Sequence, residues 1–272
     1  MQILTAIGSN SYFEGFVNAT IYKGKSKAVC APFLNCYSCP GARLGCPIGS
    51  LQAVMGNMRY KFSFYVIGFM MLMGILLGRL ICGILCPFGF IQDMLYKIPT
   101  PKFKVPKILK FTKYLILIFF VILFPILLTN DLGMGDPYFC KYLCPAGTLE
   151  GGIVLVSSNP GLQQSVGWLF NWKLFLVGAF ILSSIFFYRP FCKVICPLGA
   201  FYALFNKISF YKLEVNDELC INCGKCSRTC KMDVDPSKTP NHSECIRCGE
   251  CISACPTKAI TTNLKKLKKP LS

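Results

Sequence analysis

Arg79-Leu-Ile-Cys82-Gly-Ile-Leu-Cys86-Pro-Phe-Gly89 closes one apolar run, and Arg189-Pro-Phe-Cys192-Lys-Val-Ile-Cys196-Pro-Leu-Gly199 closes another. The two stretches share one pattern: an arginine, a cysteine three residues on, and a second cysteine four residues later that opens Cys-Pro-x-Gly. Working outward, the same phrase recurs at Cys140 to Gly147, and once more at Cys46-Pro-Ile-Gly49, where the position four before Cys46 is Ala42. A helix needs about twenty apolar residues to cross a bilayer. Phe62 to Leu80, Tyr114 to Leu128 with its flanks, and Trp172 to Tyr188 meet that need. Hydrophobic residues make up 53% of the chain and charged residues 15%, so the composition agrees.

The unit is a cysteine motif, an apolar helix and a second cysteine motif. It occurs twice, with the middle span as linker, so both outer spans run in the same direction and form a parallel repeat. The expected fold is an α-helical membrane protein of about three transmembrane helices. Lys97, Lys102, Lys104, Lys107, Lys110 and Lys113 follow the first span, whereas Lys141 stands beside Asp131, Asp136 and Glu150 after the second. By the positive-inside rule the first loop and the C-terminal end are cytoplasmic and the N-terminal segment extracytoplasmic, against which Lys23, Lys25, Lys27, Arg43, Arg59 and Lys61 count. Met1 to Gly15 holds no apolar stretch long enough for a cleaved leader. A net charge of +17 could suggest nucleic acid, but the charges flank spans or sit in Lys265 to Lys269. Membrane lipid or an acidic protein partner accounts for them, and no nucleic-acid partner is expected.

Beyond Leu213 the chain turns polar and reads Cys220-x2-Cys223-x2-Cys226-x3-Cys230, then Cys245-x2-Cys248-x2-Cys251-x3-Cys255-Pro256. This is the bacterial ferredoxin run, in which three close thiolates grip one 4Fe-4S cluster and the fourth cysteine serves the other. Cys220, Cys223, Cys226 and Cys255 are thus expected to hold one cluster, and Cys245, Cys248, Cys251 and Cys230 its neighbour, within a small α+β ferredoxin-like domain. Structural zinc prefers two Cys-x2-Cys pairs, and disulfides do not suit a cytoplasmic domain. Lys231 stands after Cys230 where proline is usual. The expected divisions are 1–61 extracytoplasmic and cysteine-rich, 62–212 transmembrane, 213–262 ferredoxin and 263–272 a basic tail.

Symmetry then pairs the remaining motifs. Cys82, Cys86, Cys192 and Cys196 are expected to form a cluster site at the inner membrane face, and Cys39, Cys46, Cys140 and Cys144 one at the outer face. Cys30 and Cys36 are left over, as a disulfide or as alternative ligands in a set of Cys30, Cys36, Cys39 and Cys46. Arg79 and Arg189 could offset cluster charge or serve as interfacial anchors. Four 4Fe-4S clusters are expected in all. His242 is the single histidine, in a polar loop, so this chain alone cannot hold a haem between two histidines.

The Cys-x3-Cys-Pro motifs and the run from Cys220 to Pro256 resemble the polyferredoxin-like membrane proteins of the NapH and NosR type. The resemblance implies electron transfer between a quinone pool or cytoplasmic donor and a partner reductase, and CcoG-like members imply metal-centre assembly. Partner subunits would be a flavoprotein, a reductase or a soluble ferredoxin. The reading is a membrane-bound electron-transfer subunit with no substrate site of its own. The rival readings are a metal or thiol reductase using Cys30 and Cys36, and a redox-sensing regulator. One difficulty attends the wire: about 30 Å of hydrocarbon between the faces is too far for efficient tunnelling unless the clusters sit deep or a partner's cofactor helps.

Overall fold

The computed structural model describes residues 1–58, 62–131, 133–164 and 166–264. Arg59, Lys61 and the basic tail from Lys265 onward lie outside the described residues. The chain is mostly helical, and one antiparallel strand pair, Leu213–Val215 with Ile260–Thr262, closes the ferredoxin part in the register Leu213 to Thr262.

Two helices among the described residues are long and apolar enough to cross a bilayer, Ile108–Leu127 and Trp168–Phe186. The first expected span is corrected by the structure. It is helical only over Phe64–Leu77, 14 residues, a rise of about 21 Å against a hydrocarbon of about 30 Å. Gly78, at φ +54, ends it; there Arg247 Nη1 donates to the Leu77 carbonyl and Asn206 Oδ1 accepts the Arg79 amide, both at 2.9 Å. The helix stops short because its C-terminal end is roofed by Asn206 and Arg247 from the later part of the chain.

That docking is extensive. Met232, Val234 and Ile246 belong to the main apolar core together with Val66, Met70, Ile81 and Val121, while Leu213, Cys226, Cys251 and Ile260 form a small core of their own. Lys113 and Arg79, both fully buried, share the Glu244 carboxylate. Lys193 holds Asp233 at 2.8 Å and Lys110 approaches the same carboxylate at 3.6 Å. Part of the basic loop that suggested a cytoplasmic face is thus engaged in binding the ferredoxin part.

The N-terminal segment packs into the helical part. Gln2 donates to the Gly83 carbonyl, between Cys82 and Cys86, and the Tyr202 hydroxyl donates to the Pro32 carbonyl. Ala31, Phe33 and Leu34 are buried in the main core, so their apolar side chains draw the segment between the helices.

Candidate metal centres

Both cysteine loops of the ferredoxin part bend in the same way. Asn222 and Gly224 have positive φ, as do Arg247 and Gly249 at the matching positions, and Asp233 and Lys258 match three residues after Cys230 and Cys255. Glycine reaches this left-handed region freely, which lets the loop curl so that successive sulfurs face one centre. Cys220, Cys223, Cys226 and Cys255 line one cavity under Val215, Ala259 and Ile260. The thiols of Cys245, Cys248, Cys251 and Cys230 lie within electrostatic reach of one another. The structure brings together both sets anticipated from the spacing.

Cys82, Cys86, Cys192 and Cys196 also converge, lining a cavity walled by Phe33, Leu34, Phe88, Phe191 and Leu198. The two halves meet reciprocally: Arg189 Nη1 donates to the Cys82 carbonyl at 2.7 Å, and Arg79 Nη2 to the Cys192 carbonyl at 3.4 Å. Neither arginine lies on the protein surface. Arg79 is bound to Glu244 and Arg189 to Asp93, and both are almost wholly buried.

The outer site differs from the expectation at one residue. Cys46, Cys140 and Cys144 line a cavity of about 570 Å³, but the fourth cysteine on its wall is Cys36, not Cys39. A turn in which the Cys39 amide bonds the Cys36 carbonyl carries Cys39 aside, where its thiol lies near Glu150 and Lys27. Cys30 and Cys36 do not form a disulfide; every cysteine is a free thiol. Cys30 lies instead in reach of Tyr202.

Three features suit these quartets to iron–sulfur clusters. Cys46, Cys86 and Cys196 each cap a helix whose first residue is proline, and a helix N-terminus favours the negative charge of a thiolate-bound cluster. The motif glycine keeps backbone close to sulfur: a Cβ on Gly147 would lie 3.5 Å from Cys36 Sγ, and the Gly199 amide donates to Cys196 Sγ. Arg79 lines the inner cavity with a buried Nε that has no partner in the protein, and a cluster sulfide would accept it. Burial pushes the Cys36 and Cys251 thiols up to about 12, and a bound metal would have to displace those protons. Among the described residues no three Cys, His, Asp or Glu side chains close around a single ion. Three of the quartets line cavities, and a 4Fe-4S cluster would take a different iron at each thiolate.

Two glutamines escaped the sequence reading. Gln52 donates to Cys140 Sγ and Gln92 to Cys192 Sγ, each at 3.1 Å. Both stand six residues after the second cysteine of their motif, Cys46 and Cys86, and that shared register was the available signal. Lys173, which donates to the Cys140 carbonyl at 3.2 Å, carried none.

The four sites form a series. Cys248 is close to Arg189 and Tyr188 beside the inner quartet, the Ile246 carbonyl packs on Gly83, and Leu34 lines both the inner and the outer cavity. The inner and outer cavities therefore share a wall at Leu34.

A family model described as a 4Fe-4S binding domain matches residues 62–106, 112–162 and 168–214, more than half the chain, and a second model of the same description matches 239–261. Each of the three long matches holds one apolar helix followed by Cys-x3-Cys-Pro. The uncharacterized protein MJ0750 of Methanocaldococcus jannaschii is 30% identical over 69% of this chain and 73% of its own length. YccM of Escherichia coli, named for a proposed role in electron transport, is 25% identical over 61% of this chain and 43% of its own. The methylamine utilization ferredoxin-type protein MauN of Paracoccus denitrificans is 33% identical over 31% of each chain. The chain thus spans less than half the length of these last two relatives. No solved structure matches it. With the thiol quartets and these matches together, the chain belongs to the polyferredoxin-like family of 4Fe-4S binding, electron-transferring proteins.

Proposed function

We propose that the chain is the membrane-embedded iron–sulfur subunit of a redox complex, carrying electrons between a cytoplasmic carrier at its ferredoxin end and a quinone or extracytoplasmic acceptor at the outer quartet. The observation that supports the reading is the succession of four thiol quartets, the two ferredoxin ones meeting in one small core through Cys226 and Cys251 and the other two sharing Leu34 as a wall. When bound, 4Fe-4S clusters supply one-electron redox chemistry with little rearrangement.

The ligand sets we assign are Cys220, Cys223, Cys226 and Cys255; Cys245, Cys248, Cys251 and Cys230; Cys82, Cys86, Cys192 and Cys196; and Cys36, Cys46, Cys140 and Cys144. Around them Phe88, Phe191 and Leu198 exclude water, Gln52 and Gln92 donate to sulfur, and Arg79 and Arg189 place positive charge beside the inner thiols. Large apolar side chains exposed on the outside of the helices, such as Phe64, Leu115, Phe175 and Leu182, support a lipid environment. The thiol-reductase reading is weakened because Cys30 and Cys39 are each only 4% exposed and Cys36 lines the outer cavity.

The test is iron and acid-labile sulfide per chain on anaerobically purified protein. About sixteen irons, four cubes of four, is expected; about eight would leave only the ferredoxin end metallated and overturn the reading.

A further inference from the structure

Residues 32–36 pass between the inner and outer quartets, and Leu34 is the side chain common to both cavities. Leu34 and Phe33 are 2% and 4% exposed, so the partition is dry and filled by protein. It is also clamped. On one side the Tyr202 hydroxyl donates to the Pro32 carbonyl at 2.8 Å, and on the other the Cys36 amide donates to Glu150 Oε2 at 2.8 Å. Asn10 holds Asn35 at 3.1 Å between them. Tyr202 and Glu150 stand six residues after Cys196 and Cys144, the register at which the other two motifs place their glutamines. All four copies of the repeat thus use the same position to fix a sulfur or the segment between the sulfurs.

Resting on the ligand reading above, we propose that Leu34, backed by Phe33, is the partition through which electrons pass directly between the inner and outer quartets, so that one side chain replaces a bilayer's thickness and no partner's cofactor is needed for this step. With clusters bound at both quartets, an electron leaving the inner site would oxidise it by one unit and reduce the outer site by one. No covalent bond would form or break. The clamps at Pro32 and Cys36 keep the spacing constant whichever side holds the electron. Cys36 is both an outer wall residue and the end of the partition, which gives the segment a direct covalent link to the outer site.

Magnetic coupling tests the proposal on the intact, fully reduced protein. Wild type with about sixteen irons should show the paramagnetic signal of the inner site broadened by its outer neighbour. Cys140→Ser with Cys144→Ser should lose about a quarter of the iron and lose that broadening, while the inner signal itself persists. An inner signal indifferent to the loss of the outer quartet, in protein whose wild type carries full iron, would overturn the partition and leave the ligand reading standing. Wild-type protein with about eight irons would overturn both. Leu34→Ala, checked for full iron, provides the second measure: freeze-quench sampling should show delayed electron arrival at the outer site, and an unchanged rate would count against Leu34 as the route.

Discussion

Gln92 directs its side-chain amide at Cys192 Sγ across 3.1 Å, linking the first half of the repeat to the second. Donation to a ligand sulfur favours the more negative, reduced state, so removing it lowers the potential. A hydrogen bond with a net worth of about 1 kcal/mol corresponds to about 40 mV for one electron. Gln92→Leu is expected to shift the inner site downward by that order and leave the outer site alone, and Gln52→Leu to do the reverse. A redox titration followed by electron paramagnetic resonance reads both.

The same two variants should differ in stability. Gln92 Oε1 is buried without a partner, so leucine removes an unsatisfied atom there. Gln52 Oε1 accepts the Phe139 amide at 2.9 Å, and its loss strands a buried donor at a cost of about 1–3 kcal/mol. Thermal unfolding in detergent should show Gln52→Leu as the less stable of the pair.

Cys36→Ser and Cys39→Ser separate the observed outer quartet from the one expected. Cys36→Ser should lose about four irons of sixteen, and Cys39→Ser none. Equal losses from both variants, or a loss only from Cys39→Ser, would return Cys39 to the ligand set.

The exchange of Cys39 for Cys36 on the outer wall shows where the sequence stops being sufficient. Ferredoxin ligands sit in tight loops of fixed spacing, so local chain geometry decides Cys220 to Cys255, and the structure groups them as their spacing implies. The inner quartet was legible because both halves repeat Arg-x2-Cys-x3-Cys in register. At the outer site Ala42 breaks that register, and the replacement comes from a non-repeating segment whose course depends on Ala31, Phe33 and Leu34 packing between helices. The break at Gly78 was hidden for a related reason. An apolar run reports burial or lipid, not where a helix ends, and here the end is set by Asn206 and Arg247, which lie far along the chain.

Glu244→Gln tests the docking of the ferredoxin part. Arg79 and Lys113, both with wholly buried side chains, rely on this carboxylate, and stripping a partner from buried charges costs about 3–5 kcal/mol. The exposed pair Lys231–Glu250, at 46% and 36% side-chain exposure, should be worth at most about 1 kcal/mol. Glu244→Gln should therefore open the region around residues 230–247 to limited proteolysis, and Glu250→Gln should not. Equal protection in both would mean that the apolar contacts of Met232, Val234 and Ile246 suffice.

Gly83 lies between Cys82 and Cys86, and a Cβ added there would come within 2.4 Å of the Ile246 carbonyl. Backbone cannot yield as a flexible side chain does, so Gly83→Ala should push the second ferredoxin loop away from the inner quartet. Because neither cavity loses a thiol, iron per chain should stay constant while electron passage from the ferredoxin end to the inner site slows. Rapid reduction by an external donor, followed at both sites, distinguishes this from a general folding defect. In a folding defect iron falls with the rate; in a spacing defect the ferredoxin signals appear on time and only the inner signal lags.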